Sequence, residues 1–376
     1  MPIARVTIAN YRSIRDLRLP LARVTVLLGA NGCGKTNCYR ALRLLHAAAA
    51  GRLAETFAEE GGMPSALWAG RRKQHEIVRM SVGVEFERYA YSLACGLPTP
   101  KAYGVPPDMR TSMFLLDPEV KEEDITVRVD GVARPVPMCQ RRVNAVTMRD
   151  GEGRRETIAE PLDAGESVLA QIADPARYAE LTLVRRFLLD WRFYHQFRTD
   201  AGSPLRDSRI GIRSPVLASD GLNLAAALQT IVEIEGRPDA LDEAIDDAFP
   251  GARLRILRDE SGRLDLEYMQ PGVQRAFTTR ELSDGTLRFL CLTAALLTPR
   301  PPVFLVLNEP ETSLHRDLLP ALAGMITRAG ARGQVLLTTH DEGLARRLAE
   351  DGAEIHRLEK DDAKGTRLLD ADGAVG

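Results

Sequence analysis

The sequence predicts an α/β protein: a mixed or parallel sheet core, an antiparallel β lobe and a compact helical insertion. Three observations carry this reading. First, the apolar run Val24-Thr25-Val26-Leu27-Leu28 enters a glycine-rich loop, Gly29-Ala30-Asn31-Gly32-Cys33-Gly34-Lys35-Thr36, and a helix-like stretch follows from Asn37 to Leu45. Second, the last third alternates apolar strands with helical patterns, the rhythm of a parallel sheet with helices on its faces. Third, short strand-like runs separated by turn residues lie between these ends, as in an antiparallel lobe.

In chain order, Ile3, Val6 and Ile8 mark a first strand, and a second apolar segment runs from Leu17 to Leu28. The helix after the loop carries Ala41, Leu42, Leu44 and Leu45 on its apolar side. Residues 51–75 are mixed and Gly-containing and read as a loop or short excursion. Strand-like runs follow at Ile77–Phe86, Tyr89–Cys95, Ile125–Val132 and Val143–Met148. The pattern turns helical over Ser167–Asp190, Leu222–Ile234 and Ala240–Phe249. Leu254–Leu257 and Leu264–Tyr268 form a hairpin around Glu260-Ser261-Gly262-Arg263. A helix near Asp284, a strand Val303–Leu307, a helix near Leu314, a strand Gln334–Thr338 and a helix Glu342–Ala349 complete the reading. No heptad run, low-complexity segment or internal repeat interrupts the middle, so an insertion there is compact rather than a long coiled-coil arm.

Composition narrows the classes. With 376 residues, 44% hydrophobic and 27% charged, the chain can bury a large core and reads as an ordinary soluble globular protein. A net charge of −2 excludes a broadly basic surface that coats nucleic acid, though not a local basic patch. The five cysteines, Cys33, Cys38, Cys95, Cys139 and Cys291, contain no C-x-x-C pair, so neither a zinc site nor a disulfide framework is expected. Met1–Asn10 already alternates like a strand, and the apolar stretches are too short to span a bilayer. The expected setting is cytoplasmic, with no membrane contact.

The loop has the G-x-x-x-x-G-K-[ST] spacing in the setting its chemistry needs. Gly29, Gly32 and Gly34 let backbone N–H groups turn inward around a polyphosphate. Lys35 reaches the outer phosphates, and the Thr36 hydroxyl can join Mg²⁺. The following helix presents its positive end to the same anion. A nucleotide with Mg²⁺ is the expected ligand pair.

Three later segments narrow the reading. Val303-Phe304-Leu305-Val306-Leu307-Asn308-Glu309-Pro310 is an apolar strand that delivers polar residues at its C-terminal end, where α/β sheets place ligands. Glu281-Leu282-Ser283-Asp284-Gly285-Thr286 puts a Ser and a Gly at the start of an apolar helix, where they also suit an N-cap and a turn. Val335-Leu336-Leu337-Thr338-Thr339-His340 is another apolar strand, ending in histidine.

Their order resembles the ATP-binding-cassette ATPase head, in particular the SMC/RecF-like branch of soluble AAA-type ATPases with an ABC signature. Asn10-Tyr11-Arg12-Ser13 is similar to the branch's N-[FY]-[KR]-S. Asn31-Gly32 matches the inner pair of its phosphate loop, and Leu282-Ser283-Asp284-Gly285 its signature loop. Glu309-Pro310-Glu311-Thr312-Ser313-Leu314-His315 matches its D-E-P-x-x-S-L-H run. The resemblance covers roughly residues 1–50 and 275–345.

That resemblance implies a P-loop ABC-type head. Residues 1–160 would form an N-terminal lobe with the phosphate loop and the antiparallel strands. Residues 161–270 would form the helical insertion, and 271–376 a C-terminal lobe with signature, Walker B strand and switch histidine. It implies Glu309 as catalytic base, with Lys35 and His340 in the catalytic set. Arg12, Asn31, Gly32, Gly34, Lys35, Thr36, Ser283 and Gly285 would contact nucleotide, and Thr36 and Asn308 the metal. Two heads would share each ATP, so a homodimer on ATP binding is expected. Asn308 departs from the usual Asp. An amide offers a carbonyl oxygen without charge, whereas hard cations prefer anionic oxygen, so slow turnover is expected.

Gln74 and Gln196 are both candidates for the glutamine that couples nucleotide to the second lobe in the resembling heads, and Trp191–Arg198 reads as either an interface between lobes or a simple exposed strand end. Two function classes stay open. One is a DNA-associated ATPase in repair, chromosome maintenance or defence against foreign DNA. The other is an ATP-driven regulator or clamp of a partner protein, such as a nuclease or toxin. The pairs Arg71-Arg72, Arg141-Arg142, Arg154-Arg155 and Arg185-Arg186 could offer DNA phosphates a face, or be solvated surface.

Overall fold

A computed structural model describes residues 1–71, 78–98, 113–234, 238–361 and 363–369. Along the chain, β1 (Ile3–Tyr11) and β2 (Ile14–Pro20) form a hairpin, and β3 (Val24–Leu28) follows. Ile3, Val6 and Ile8 of β1 are buried, while all five residues of β3 are buried, as an interior parallel strand demands. The glycine-rich loop then opens α1 (Lys35–Ala50), which ends where Gly51 adopts φ 70° and caps it.

The stretch expected as a loop contains two short helices in its described part, α2 (Leu53–Glu59) and α3 (Met63–Ala66). Leu53, Phe57 and Met63 are each fully buried, and that apolar burial holds segments too short to be helical alone. Next come β4 (Met80–Phe86), β5 (Tyr89–Gly96), β6 (Glu119–Val127), β7 (Val136–Arg142), β8 (Ala145–Arg149) and β9 (Arg155–Thr157). Here β6 begins before the expected Ile125, and β7 was not expected at all. The helical pattern over Ser167–Asp190 divides into α4 (Val168–Gln171) and α5 (Ala179–Leu189). Asp174-Pro175 lies between them, and proline disfavours helical backbone before it.

The remainder runs β10 (Arg192–Tyr194), β11 (Arg209–Ile210), α6 (Leu224–Ile234), α7 (Pro238–Ala248), β12 (Arg253–Arg258), β13 (Arg263–Met269) and β14 (Phe277–Thr278). Then follow α8 (Asp284–Leu296), β15 (Phe304–Asn308), α9 (Leu319–Arg332), β16 (Gln334–Thr339), α10 (Glu342–Glu350), β17 (Glu354–Asp361) and β18 (Gly365–Leu369). The helix expected near Leu314 starts later, at Leu319, after a 3₁₀ turn over Arg316–Leu318 and with Pro320 in its first turn.

Two compact units result. One comprises Met1–Ala22, Gly29–Trp191 and His356–Gly376; the other comprises Arg23–Leu28 and Arg192–Ile355. In the first, antiparallel strands run in the order β17-β18-β2-β1-β4-β5-β6-β7-β8-β9, and α1 packs on β1 and β4. In the second, β10, β15, β16 and β3 are neighbours in that order, all parallel. Helices α6 to α10 pack with them around Leu287, Leu290, Leu322, Ile326, Leu305 and Leu337. A small antiparallel sheet, β11-β13-β12 with β14 on β13, completes this unit. The α/β class is therefore as the sequence predicts: parallel and antiparallel strands with helices packed on them.

Candidate functional site

The phosphate loop belongs to the first unit. Gly32 and Gly34 have φ of 82° and 107°, the left-handed region that only glycine enters readily, so the loop can curl with its amides inward. At Gly34 a Cβ would collide with the Thr366 side chain and approach the Ser13 hydroxyl. Those two residues strap the loop. Thr366 Oγ1 donates to the Cys33 carbonyl at 2.8 Å, and its backbone N–H donates to Ser13 O at 2.7 Å. The Ser13 and Thr366 hydroxyls lie 2.8 Å apart, and Asn37 Nδ2 donates to Ser13 Oγ at 2.8 Å. Lys35 is buried, and its Nζ donates to the carbonyls of Gly29 (2.7 Å) and Ala30 (3.1 Å), which holds the ammonium inside the loop. Asn31 and Gly32 are exposed at the loop's crest, and Thr36 is half-buried in the first turn of α1. Burial pushes the Cys38 thiol up to about 12, so it is an inert packing group rather than a redox switch.

The second unit gathers three strand ends. Tyr194 of β10 pairs with Leu307 of β15, Asn308 of β15 with Thr338 of β16, and Thr339 of β16 with Leu28 of β3. The C-terminal ends of β10, β15 and β16 therefore release His195, Asn308-Glu309 and His340 side by side, the edge where such sheets carry ligands. Asn308 is buried. Its Nδ2 lies 2.7 Å from His195 Nδ1, and its Oδ1 accepts from Thr338 Oγ1 at 2.9 Å.

Glu309 sits at φ 47°, an uncommon conformation for a residue with a side chain. Its N–H donates to Thr338 O at 3.0 Å. Its carbonyl accepts from the Thr312 N–H (3.1 Å) and from Arg288 Nη2 (3.1 Å). His340 Nδ1 lies 3.9 Å from Glu309 Oε1 and 3.3 Å from Glu311 Oε1. Glu311 is buried, and burial raises its carboxyl above the usual range. Its Oε1 accepts from Thr339 Oγ1 at 2.6 Å and from the His340 N–H at 3.2 Å.

In the same unit, Ser283 caps α8. Its Oγ accepts from the Thr286 N–H at 3.1 Å and lies 2.8 Å from Thr286 Oγ1. Gly285 allows a close approach, since a Cβ there would meet the Ser313 carbonyl at 3.0 Å. Arg206, buried, organises the chain before α8. Nη1 donates to Leu282 O (2.7 Å) and Arg280 O (3.1 Å), and Nη2 donates to Asp284 Oδ1 (2.7 Å) and Thr199 O (2.7 Å).

Arg12, expected near nucleotide, is paired in the first unit with Glu60: Nη2 and Nε reach Oε2 at 3.0 and 3.2 Å, and the Tyr11 hydroxyl donates to the same oxygen at 2.6 Å. Gln196 is exposed just beyond β10, while Gln74 lies outside the described residues. The arginine pairs are not one face. Arg141 is fully buried, donating to Glu166 O (2.6 Å) and Asp163 O (2.8 Å), and Arg154 pairs with Asp150 and Glu152. Arg72 lies outside the described residues.

For Mg²⁺, the half-buried Thr36 hydroxyl at the start of α1 is a fitting oxygen. Asn308 fits less well, because both polar atoms of its neutral amide are engaged within the sheet. Arg206, Arg288 and Glu311 escaped the sequence reading, though Glu311 stands inside the quoted run and Arg288 five residues beyond the signature Ser; His195 lies within the Trp191–Arg198 segment singled out above but has no role of its own in that reading.

No curated protein matches this chain closely enough to serve as a relative. Its fold is similar to that of SMC heads. One, a SMC head bound to the C-winged helix domain of ScpA, has a TM-score of 0.52 at 14% identity, with 98% of each chain covered. Another, from Pyrococcus furiosus, has an extended coiled coil and is bound to the C-terminal domain of ScpA. It has a TM-score of 0.51 at 12% identity, covering 98% of this chain and 95% of that one. A family model described as "AAA ATPase domain" matches residues 1–76. A second, described as "AAA domain, putative AbiEii toxin, Type IV TA system", matches residues 149–346, more than half of the sequence, and the chain belongs to this AAA-domain family.

Proposed function

We propose that the protein binds ATP with Mg²⁺ and hydrolyses it slowly, as an ATPase of SMC/RecF type that completes its sites by dimerising. The observation that carries this reading is the set of strand ends bearing Asn308-Glu309 and His340 beside β3, whose chain continues directly into the phosphate loop. The loop amides and Lys35 stabilise charge on the transferring phosphate. Glu309 orients the attacking water and accepts its proton. His340 reaches the γ-phosphate, and Ser283 and Gly285 do so from the partner subunit. Thr36 would hold Mg²⁺, with Asn308 the weaker candidate, and the ion would supply neutralising charge at the phosphates. Arg12 can join the nucleotide only if its pair with Glu60 opens.

For the biological setting we propose defence against foreign DNA; the family description itself names a "putative AbiEii toxin, Type IV TA system". The alternative, an ATP-driven clamp on a partner protein, is supported by the two SMC heads, each bound to ScpA. Binding to duplex DNA across a salt series, with and without ATP, separates the two: an ATP-dependent, salt-sensitive affinity supports the first, and none supports the second.

The chemical test uses two variants. Lys35→Ala should abolish ATP binding by calorimetry. Glu309→Gln should keep binding but lose about 10²-fold or more in hydrolysis, because an amide cannot take the proton of water. Parental ATP affinity in the first variant, or a parental rate in the second, defeats the proposal.

A further inference from the structure

We infer that Arg288 is a positioning residue that locks the backbone of Glu309 to the signature helix, so that the state of Ser283 and Gly285 is felt at the base. The inference rests on the proposed ATPase reading. Arg288 lies in α8, five residues after the capping Ser283. Its guanidinium is buried, and Nη2 donates to the Glu309 carbonyl at 3.1 Å and lies 3.5 Å from the His195 carbonyl. One side chain thus spans the ends of β10 and β15. Its Nε makes no hydrogen bond among the described residues. Burying a guanidinium is costly, and burial lowers its proton affinity here, so a purely structural contact would be met more cheaply by an apolar side chain.

The backbone it grips is itself unusual. Glu309 holds φ 47°, a conformation a residue with a side chain keeps only where neighbours over-determine it. The N–H side is fixed by Thr338. The carbonyl side is fixed by Thr312 within its own turn and by Arg288 from α8. Rotating that peptide would swing the Glu309 carboxylate. A second contact joins the same two segments: Gly285, without a Cβ, lets the start of α8 approach the Ser313 carbonyl, and Ser313 also has a positive φ, of 65°. A ligand that presses on Ser283-Gly285 therefore acts on a helix joined to the Glu309–Ser313 turn at both its first and its second turn.

The test is a kinetic cycle. Arg288→Met keeps length and burial but removes the donors. It should lower kcat at least about tenfold, the scale on which misplacing a catalytic group is felt, with KM for ATP unchanged within about twofold. In the Glu309→Gln background the same change should cost nothing further, because a positioning residue acts only through the group it positions. Arg288→Lys keeps one donor and should recover part of kcat; it also serves if the Met variant does not fold. A parental kcat in Arg288→Met, no recovery in Arg288→Lys, or a full additional loss in the Glu309→Gln background overturns the inference. So does a loss of kcat and ATP affinity in step with melting temperature, which would mark a folding residue. If Glu309→Gln itself hydrolyses ATP at the parental rate, the ATPase reading fails instead, and the two failures are told apart.

Discussion

At position 308 an apolar strand ends in an amide where the resembling family has a carboxylate, and the structure shows what the amide does. Asn308 faces His195 Nδ1 with its Nδ2 and accepts the Thr338 hydroxyl with its Oδ1, so it bridges β10 and β16 from β15. A carboxylate could keep the Thr338 bond but has no hydrogen for His195. It would draw a proton onto Nδ1 instead and add an anionic oxygen beside the nucleotide site. Asn308→Asp should therefore lower the Mg²⁺ concentration for half-maximal ATPase by about tenfold, the low end of what a residue supporting a metal from behind its first ligands is worth. A magnesium titration of the rate checks this, and an equal or higher requirement would show that the amide serves the sheet rather than the metal. The loop motif, the apolar strand and the terminal histidine were legible because each lies in one short segment. His195 was not, because its partner Asn308 is 113 residues away. Thr366 is the extreme case: it straps the Cys33 carbonyl across 333 residues, and no local pattern announces it.

Among the elements, β5, β6 and β7 carry a buried polar network. Glu123 of β6 accepts from the Tyr91 hydroxyl at 2.8 Å, from the Ser167 hydroxyl and from the Val168 N–H at 2.9 Å. Arg141 of β7 lies 4.0 Å from it and ties down the carbonyls of Val143, Asp163 and Glu166. The network fastens the 163–168 loop, and with it the start of α4, onto the antiparallel strands. Arg141→Met should lower unfolding free energy in urea by about 3–5 kcal/mol, because it leaves the carbonyls of Val143, Asp163 and Glu166 without their buried donor and removes the cation nearest Glu123. A loss below about 1 kcal/mol would contradict this. The carboxyl itself has a pH signature. Burial raises the Glu123 pKa, so the folded state holds its proton longer than the unfolded chain does. The native state then gains stability from Glu123 below the unfolded pKa and loses it as pH rises through the raised value. Glu123→Gln should remove that part of the slope. This network also explains why β7 escaped the sequence reading: its inward-facing positions include Cys139 and Arg141 rather than a run of aliphatics, and Pro137 interrupts it. The strands that were legible, β3, β15 and β16, are buried at every residue and so read as unbroken apolar runs. The short helices α2 and α3 form through burial of Leu53, Phe57 and Met63, which local propensity does not reveal.

For the whole molecule, the proposed mechanism makes the dimer the working unit, and mixing subunits tests it. Ser283 caps α8 with an exposed side chain, and Arg206 holds the preceding backbone through Leu282 and Arg280, so the signature segment is a rigid, accessible surface. If that surface meets a partner's nucleotide, Ser283→Arg places bulk and charge where the partner's γ-phosphate would lie. The variant should bind ATP as a monomer with parental affinity but fail to dimerise. Lys35→Ala fails at the other half of the shared site. Each variant alone has two damaged sites. A mixed dimer carries both lesions at one site and neither at the other, so ATPase should return to up to about half the parental rate per mixed dimer if the sites are independent. Glu309→Gln with ATP should accumulate the closed dimer, because closure precedes hydrolysis and reopening follows it. Sedimentation in ATP checks the assembly, and titrating one inactive variant into the other checks the sharing. A Glu309→Gln protein that remains monomeric at high concentration, with no activity recovered on mixing, would confine Ser283 to capping its helix and leave each subunit to act alone.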